Sequence, residues 1–409
     1  MNWGTRASVR VEVGVPGAPV AVADRPRLCV VGVAPEGAPW LADAAPHAVV
    51  RETRFRSQRA AVEHLRYRPG DSLQALSGLD GEAPSLLRDA VAVALSAGAG
   101  HVDALVARSE GATPHEVDRE DVHALLLPFL AVSPGAVMVL PDAGGPGGGT
   151  DEGRRAALVR AMERYGGGWR EHQQIGLLDA SGLSHEALRR AGGEASGQDV
   201  ALCRWVGEED ALRGHGWRSA AAAVGALLAG GAGGAPSGIV GRSVALPPGR
   251  RGPASRASLL SAAPWTPPAV PDLERFAALA LDGDDRARLI SDAALRAPVG
   301  VWSLPALHLV KAVHLVLVST ANEFVFEGAN DVQALALAAG LSRCMNPFIS
   351  HGLLTGPENA RPRVEAEVEE YAGQWGLSAI IEATLLPWSR RVTVRVTVRP
   401  SERRIEGLS

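Results

Sequence analysis

Val392-Thr393-Val394-Arg395-Val396-Thr397-Val398-Arg399 sets four valines on one face and alternating threonine and arginine on the other. That is the period-two pattern of a half-buried strand. The run closes at Pro400 and a charged Ser401-Glu402-Arg403-Arg404 tail. A matching run stands at the other end, where Val9, Val11, Val13 and Val15 alternate with Arg10, Glu12 and Gly14. Strand-forming ends around a long middle without a catalytic constellation point to a building block, not an enzyme. Two accounts of such ends stay open. They complete the protein's own sheet, or an exposed edge captures the strand of a neighbouring subunit.

The 409 residues allow a large core and two or three domains. Hydrophobic residues make up 46% but aromatic ones only 4%, so the core is built mainly of Ala, Val and Leu. The 47 glycines and 28 prolines follow no collagen-like period and indicate many turns and loops. A net charge of -4 gives no general pull toward nucleic acid or an anionic membrane. Lys311 is the only lysine among 41 basic residues, which removes most candidates for Schiff-base or P-loop chemistry. Cys29, Cys203 and Cys344 are dispersed, with neither a disulfide framework nor a zinc spacing, so a reducing compartment is expected. Met1-Asn2-Trp3-Gly4 opens without the basic leader and apolar core of a signal peptide. Leu304 to Thr320, interrupted by His308, Lys311 and His314, reads as too short and polar for a membrane span.

Between the ends, helical and strand patterns alternate, which argues for α/β layering. Buried strands are expected at 27–33, 101–108, 136–142 and 174–179, and helices at 57–66, 84–98, 118–131 and 151–165. Gly166-Gly-Gly168 is read as the break after the last of these. An alanine-rich helix is expected within 214–234. Beyond the Pro, Gly, Ser and Arg-rich stretch 247–271 come a helix at 303–312 and a β-prone stretch to Ser319. A short strand at 323–327, a helix at 330–343 and strands at 364–371, 379–385 and 392–398 follow. The expected division is an N-terminal arm (1–26), a first part of an α/β assembly core (27–117), a middle α/β domain (118–246) and a linker or surface arm (247–271). A C-terminal α/β assembly core (272–389) and a β-arm with its tail (390–409) complete it. The fold class is therefore α/β in a multidomain (α+β) chain, with mixed sheets, packed helices and terminal β-arms.

Candidate chemistry does not assemble. Gly144-Gly-Pro-Gly-Gly-Gly149 lies between a strand and a helix, where phosphate loops belong. It lacks the terminal Lys-Ser/Thr, and Pro146 interrupts a G-x-G-x-x-G, so it reads as a βα connection. Asp142 and Asp179 end predicted strands, where α/β enzymes place carboxylates; helix capping or chain reversal explains them more simply. His308 and His314 sit six apart without a paired-histidine motif, so no metal site is expected. Ser181-Gly-Leu-Ser184-His185 lacks a nucleophile elbow, and Cys203 reads as a small buried hydrophobe. Asn330 is placed to cap the helix that follows it. Trp302, Trp375 and Trp388, near predicted element ends, read as core or interface anchors. Arg390, Arg391, Arg395 and Arg399 give the last strand a basic face that could meet Glu365, Glu367, Glu369 and Glu370 in an assembly.

The order of these segments resembles the contractile tail sheath family of bacteriophages and related injection systems. Arg27-Leu-Cys-Val-Val-Gly-Val33 after an extended strand is similar to that family's opening. Ala136-Val-Met-Val-Leu-Pro-Asp-Ala143 is similar to its central strand ending in Pro-Asp-Ala, and Pro236-Ser-Gly-Ile-Val-Gly-Arg242 to its Pro-Ser-Gly turn. Leu304 to Phe326 resembles its helix-to-strand segment. The usual Phe-Glu-Pro-Asn-Asp continuation stands here as Phe326-Glu327-Gly328-Ala329-Asn330-Asp331. Pro387 to Val398 resembles the family's final β-arm. A Trp-Gly-Ala-Arg-Thr stretch usual in the family is missing, and Arg256 to Pro268 runs differently, as in a divergent sheath or sheath-like accessory subunit.

The resemblance implies a subunit that polymerises around an inner tube, with no cofactor and no enzymatic turnover. Its arms would be Val9, Val11 and Val13 at one end and Val392, Val394, Val396 and Val398 at the other, with Arg395, Arg399, Glu367 and Glu369 as interface charges. Implied partners are further copies of the chain, inner-tube proteins and baseplate proteins, without direct nucleic-acid binding or membrane insertion. The implied location is the cytoplasm during assembly, then a phage tail or phage-tail-like particle. Two rivals remain: a non-polymerising α/β binding or accessory protein, and an α/β enzyme using Asp142 and Asp179.

Overall fold

The computed structural model describes residues 8–14, 27–35, 60–68, 86–109, 123, 126, 127, 130, 134–141, 150–181, 183–194, 199–206, 219–229, 239–246, 275–281, 286–296, 300–324, 328–356, 361–371, 374–385 and 390–399. The chain divides into two units. One comprises Asp24–Gly233 and Gly238–Leu307; the other comprises Met1–Ala23, Gly234–Ser237 and His308–Ser409. The fold is mixed α+β, with multistranded sheets and packed helices.

After β1 (Ser8–Gly14), which belongs to the smaller unit, the chain builds a ten-stranded sheet. Its strands are β2 (Leu28–Pro35), β3 (Ala60–Tyr67), β4 (Val102–Ser109), β5 (Val137–Leu140), β6 (Ile175–Asp179), β7 (Val200–Val206), β8 (Ser243–Ala245), β9 (Ala277–Leu281), β10 (Arg286–Arg296) and β11 (Gly300–Ser303). The centre is parallel in the order β4-β2-β5-β6-β7-β9. Continuous apolar runs such as Val137–Leu140 are buried on both faces, as a helix-covered parallel sheet requires. Antiparallel strands close the margins: β3 on β4, β10 on β9, and β8 and β11 on β10.

Helices α1 (Leu86–Ser96), α2 (Asp151–Glu171), α3 (His185–Glu194) and α4 (Ala220–Ala229) cover this sheet. Leu87 of α1 packs over Gly32, and α4 faces Leu28, Val139 and Leu177 through Gly225. All ten residues of α4 are buried, and a Cβ at Gly225 would stand 2.7 Å from Leu28 Cδ1. The Ala and Gly composition is what lets that helix lie so close. The opposite face carries Cys29, Val31, Met138, Leu140 and Leu178 against Leu158, Tyr165 and Trp169 of α2 and Leu188 of α3.

The structure departs from the sequence expectations in several places. Residues 60–67 form β3, not part of a helix: Leu65 and Tyr67 are buried while His64 and Arg66 are partly exposed, a two-residue alternation. Helix α2 does not stop at 165 but passes through Gly166–Gly168 to Glu171, because Tyr165 and Trp169 are both buried and stack at 5.6 Å. Strands β7 to β11 lie outside the expected set of strands. Glycines 144–149 and the stretch 247–271 lie outside the described residues.

The smaller unit contains most of α5 (Leu304–Asn322), α6 (Asp331–Cys344), α7 (Asn346–Ser350) and the strands β12 (Leu354–Thr355), β13 (Arg363–Tyr371), β14 (Gln374–Leu385) and β15 (Arg390–Arg399). The stretch to Ser319, expected as β-prone, is helix. The reason lies in its spacing: Leu307, Val310, Val313, Leu317 and Ala321 recur every three or four residues and are all buried. Glu323 and Phe324, expected in a strand, form the turn after α5; 325–327 lie outside the described residues. At 19 residues, α5 is also long and apolar enough to cross a membrane, contrary to the sequence reading, and 61% of its apolar stretch is buried within the protein. Asn330 caps α6 as expected, its Oδ1 accepting from Gln333 N at 3.0 Å.

Candidate assembly sheet and buried charges

Both ends of the chain meet in one sheet, ordered β1-β15-β14, with β13 and β12 pairing the far side of β14. β1 runs antiparallel to β15 through seven register pairs, from Ser8 opposite Arg399 to Gly14 opposite Thr393. β15 pairs β14 through nine, from Leu377 opposite Val398 to Leu385 opposite Arg390. The registers align the apolar positions into rows across four strands. Val9, Val398, Leu377 and Val368 form one; Val11, Val396, Ala379 and Ala366 the next; Val13, Val394, Ile381 and Val364 a third. Val392 lies opposite Ala383, beyond the end of β1. A single-residue slip of one strand would transfer all its apolar positions to the opposite face.

Burial identifies the inner face. Val396, Val398, Leu377, Ala379 and Ile381 are buried, and α6 lies against β13 and β14 with Ala334, Leu337 and Leu341 buried. On the outer face, Arg363, Glu365, Glu367 and Glu382 are exposed and Glu369 is half-buried. Arg395 is level with Ile380 and, one strand further, with Glu365; Thr397 is level with Ser378 and Glu367. Arg399 lies opposite Ser8, and Glu12 lies opposite Arg395. Glu365 itself accepts a hydrogen bond from Arg363 Nε at 2.8 Å. Trp375, on β14, is 58% exposed, and Trp388 lies outside the described residues.

Asp142 lies outside the described residues. Asp179 ends β6 and accepts from Ser181 N at 3.0 Å and from Ala221 N at 3.3 Å. It therefore turns its own strand and caps the first turn of α4, where Ser219 Oγ accepts from Ala222 N at 3.1 Å. Burial pushes its carboxyl up to about 6, against the downward pull of these hydrogen bonds. Cys203, opposite Asp179 in register, is fully buried, and burial followed by the Asp179 charge raises its thiol far above the ordinary range. Such a thiol is no nucleophile at neutral pH. Ser184 Oγ accepts from Ala187 N at 3.3 Å in the first turn of α3, and His185 meets Phe276 edge-on.

His308 is buried, and burial together with the Lys311 charge pushes its imidazole down to about 4. Among the described residues no group of three or more His, Cys, Asp or Glu side chains is placed to hold a metal ion.

Sequence reasoning missed one charged cluster. Asp103, on β4, is buried and accepts from Arg66 Nε at 2.6 Å and Arg66 Nη2 at 3.1 Å, with His64 Nε2 at 3.5 Å. Burial works to raise this carboxyl, but the His64 and Arg66 side chains outweigh it and hold it well below the usual carboxylate range. The pairing ties the marginal strand β3 to β4. An aspartate inside the apolar run Val102-Asp-Ala-Leu-Val106 was the available signal.

No protein-family model and no curated protein matches the chain. Among solved structures, it is similar to the helical sheath of the anti-feeding prophage in its contracted state. Identity is 14% over 96% of this chain and 95% of that one, with a TM-score of 0.48. It is also similar to a chain of the six-fold symmetrised baseplate of the same particle, at 15% identity over 96% and 95%, with a TM-score of 0.47. The similarity is one of overall course at low identity.

Proposed function

We propose that this chain is a structural subunit of a contractile tail sheath or sheath-like tube, which polymerises around an inner tube by exchanging its terminal strands. The observation that carries this reading is the meeting of β1 and β15 in one sheet, with seven register pairs and aligned valine rows. Main-chain hydrogen bonds between strands are indifferent to which chain supplies each strand, so the same ladder can join subunits. The ordered resemblance of Ala136–Ala143, Pro236–Arg242, Leu304–Asp331 and Pro387–Val398 to sheath segments supports the same reading. So do three exposed large apolar side chains in the smaller unit, Val332, Leu335 and Trp375. The partners would be further copies, inner-tube proteins and baseplate proteins. The subunit would assemble in the cytoplasm and end in a phage tail or phage-tail-like particle. Val9, Val11, Val13, Val392, Val394, Val396 and Val398 would be the joining positions, and Arg395, Arg399, Glu367 and Glu369 would meet charges of neighbours.

The test is negative-stain electron microscopy of the full-length protein, alone and co-expressed with its neighbouring genes, beside a variant lacking residues 390–409. Rings or striated tubes from the full chain, and none from a soluble truncated one, are expected. Tubes from the truncated protein would refute the arm mechanism. The rival is a non-polymerising α/β binding or accessory protein, in which the same β1–β15 pairing completes the chain's own sheet and joins no neighbour. Discrete small particles under every condition would select it.

A further inference from the structure

Resting on the sheath reading, we infer that the β1–β15 ladder is a self-capping lock, which occupies the free subunit's own docking edge and restrains polymerisation until a neighbour displaces it. In the single chain, β1 covers the outer edge of β15 over seven positions. This is the edge that a second copy's β1 would need. Exchange in the register of self-pairing would again set Val11 opposite Val396 and Glu12 opposite Arg395. The two arrangements therefore compete for the same hydrogen bonds, as in a domain swap.

Concentration decides the competition. β1 belongs to the same chain as the edge it covers, so its pairing is intramolecular, and effective concentrations of such pairing reach the order of millimolar. Dilute subunits, at micromolar concentration, lose to the subunit's own strand and remain single. A subunit already docked on a ring end meets its neighbour's β1 at a comparable local concentration, and exchange then proceeds. The device predicts growth from preformed ends with little spontaneous polymerisation.

The test uses the full chain carrying Val11→Cys and Val396→Cys. Opposed residues of an antiparallel pair have Cα atoms about 4.5–5.5 Å apart, within disulfide reach. Oxidation at micromolar concentration should give a monomer with one internal cross-link by non-reducing electrophoresis and peptide mass mapping. That form should assemble at least tenfold more slowly than the same protein after dithiothreitol. Cross-links only between chains, or none, would overturn the lock, as would a cross-linked monomer that assembles at the reduced rate. If the wild-type chain forms no polymer with its neighbouring gene products, the sheath reading fails and the lock falls with it. Normal wild-type assembly with an unhindered cross-linked variant refutes the lock alone.

Discussion

The indole of Trp169 lies directly over Gly176: a Cβ built on that glycine would collide with Trp169 Cζ3, Cε3 and Cη2. Trp169 belongs to the last turn of α2 and Gly176 to β6, so this contact seats the helix on the strand that follows it. Gly176→Ala should destabilise the protein by about 3 kcal/mol, at the upper end of the range for overpacking a core. Urea unfolding followed by circular dichroism measures it. Trp169→Leu should be costly alone, but the double variant should cost clearly less than the sum, because the clash disappears with the ring. Strict additivity would mean that the two residues do not meet.

Asp179 predicts an unusual pH response. Burial raises its folded-state carboxyl to about 6, above its ordinary 3.8. Between those values the folded protein keeps a proton that the unfolded chain has released. Stability should therefore fall as pH rises from about 4 to about 6 and level off above, with this group accounting for a loss on the order of 3 kcal/mol. Asp179→Asn keeps an acceptor for the backbone donors and carries no charge. It should flatten that segment of the stability profile and be at least as stable as wild type at pH 7.5. Asp179→Ala, which leaves Ser181 N and Ala221 N without the carboxylate, should lose about 2 kcal/mol.

The Asp103 cluster predicts the opposite sign. A carboxyl held below its ordinary range stabilises the fold above the unfolded value, and that contribution disappears as pH falls through the folded one. Arg66→Ala should cost about 2–3 kcal/mol at neutral pH, less than for a fully buried pair because Arg66 is about a third exposed. Asp103→Leu with Arg66→Met should recover most of the loss. Denaturant titrations at pH 3 and pH 7 separate the cases, since the double variant should lose the acid sensitivity of this site.

Asn330 offers a small, local check. Asn330→Ala should cost about 1 kcal/mol by removing the acceptor for Gln333 N, whereas Asn330→Asp should be close to neutral. Thermal unfolding of the three proteins, compared at equal concentration, is sufficient.

Elements with strong local signals were legible before the fold was seen. The alternation of 392–398, the buried runs 28–33 and 137–140 and the cap at Asn330 need only their own residues to be read. The misreadings share a cause. Gly166–Gly168 breaks a helix by propensity, yet α2 continues because Trp169 is held in the core beyond it. Ala60–Tyr67 is rich in helix formers and becomes a strand because β4 offers it a paired edge. The valines of 310–318 favour strands, but Val310 and Val313 fall on the buried face of a helix with Leu317.

The sites divide in the same way. Asp179 was visible as a strand-end carboxylate, but its role as cap for α4 joins residues 42 apart in the chain. The Arg66–Asp103 pair spans 37. By itself the sequence determined the period of each face, the terminal strands and the helix start at Asn330, because dihedral preference and side-chain alternation act over a few residues. Only the tertiary structure decided that β1 lies on β15, that Asp179 serves a helix end and that Trp169 covers Gly176. These contacts join separate elements, and their energy comes from surfaces and buried charges that no single element contains.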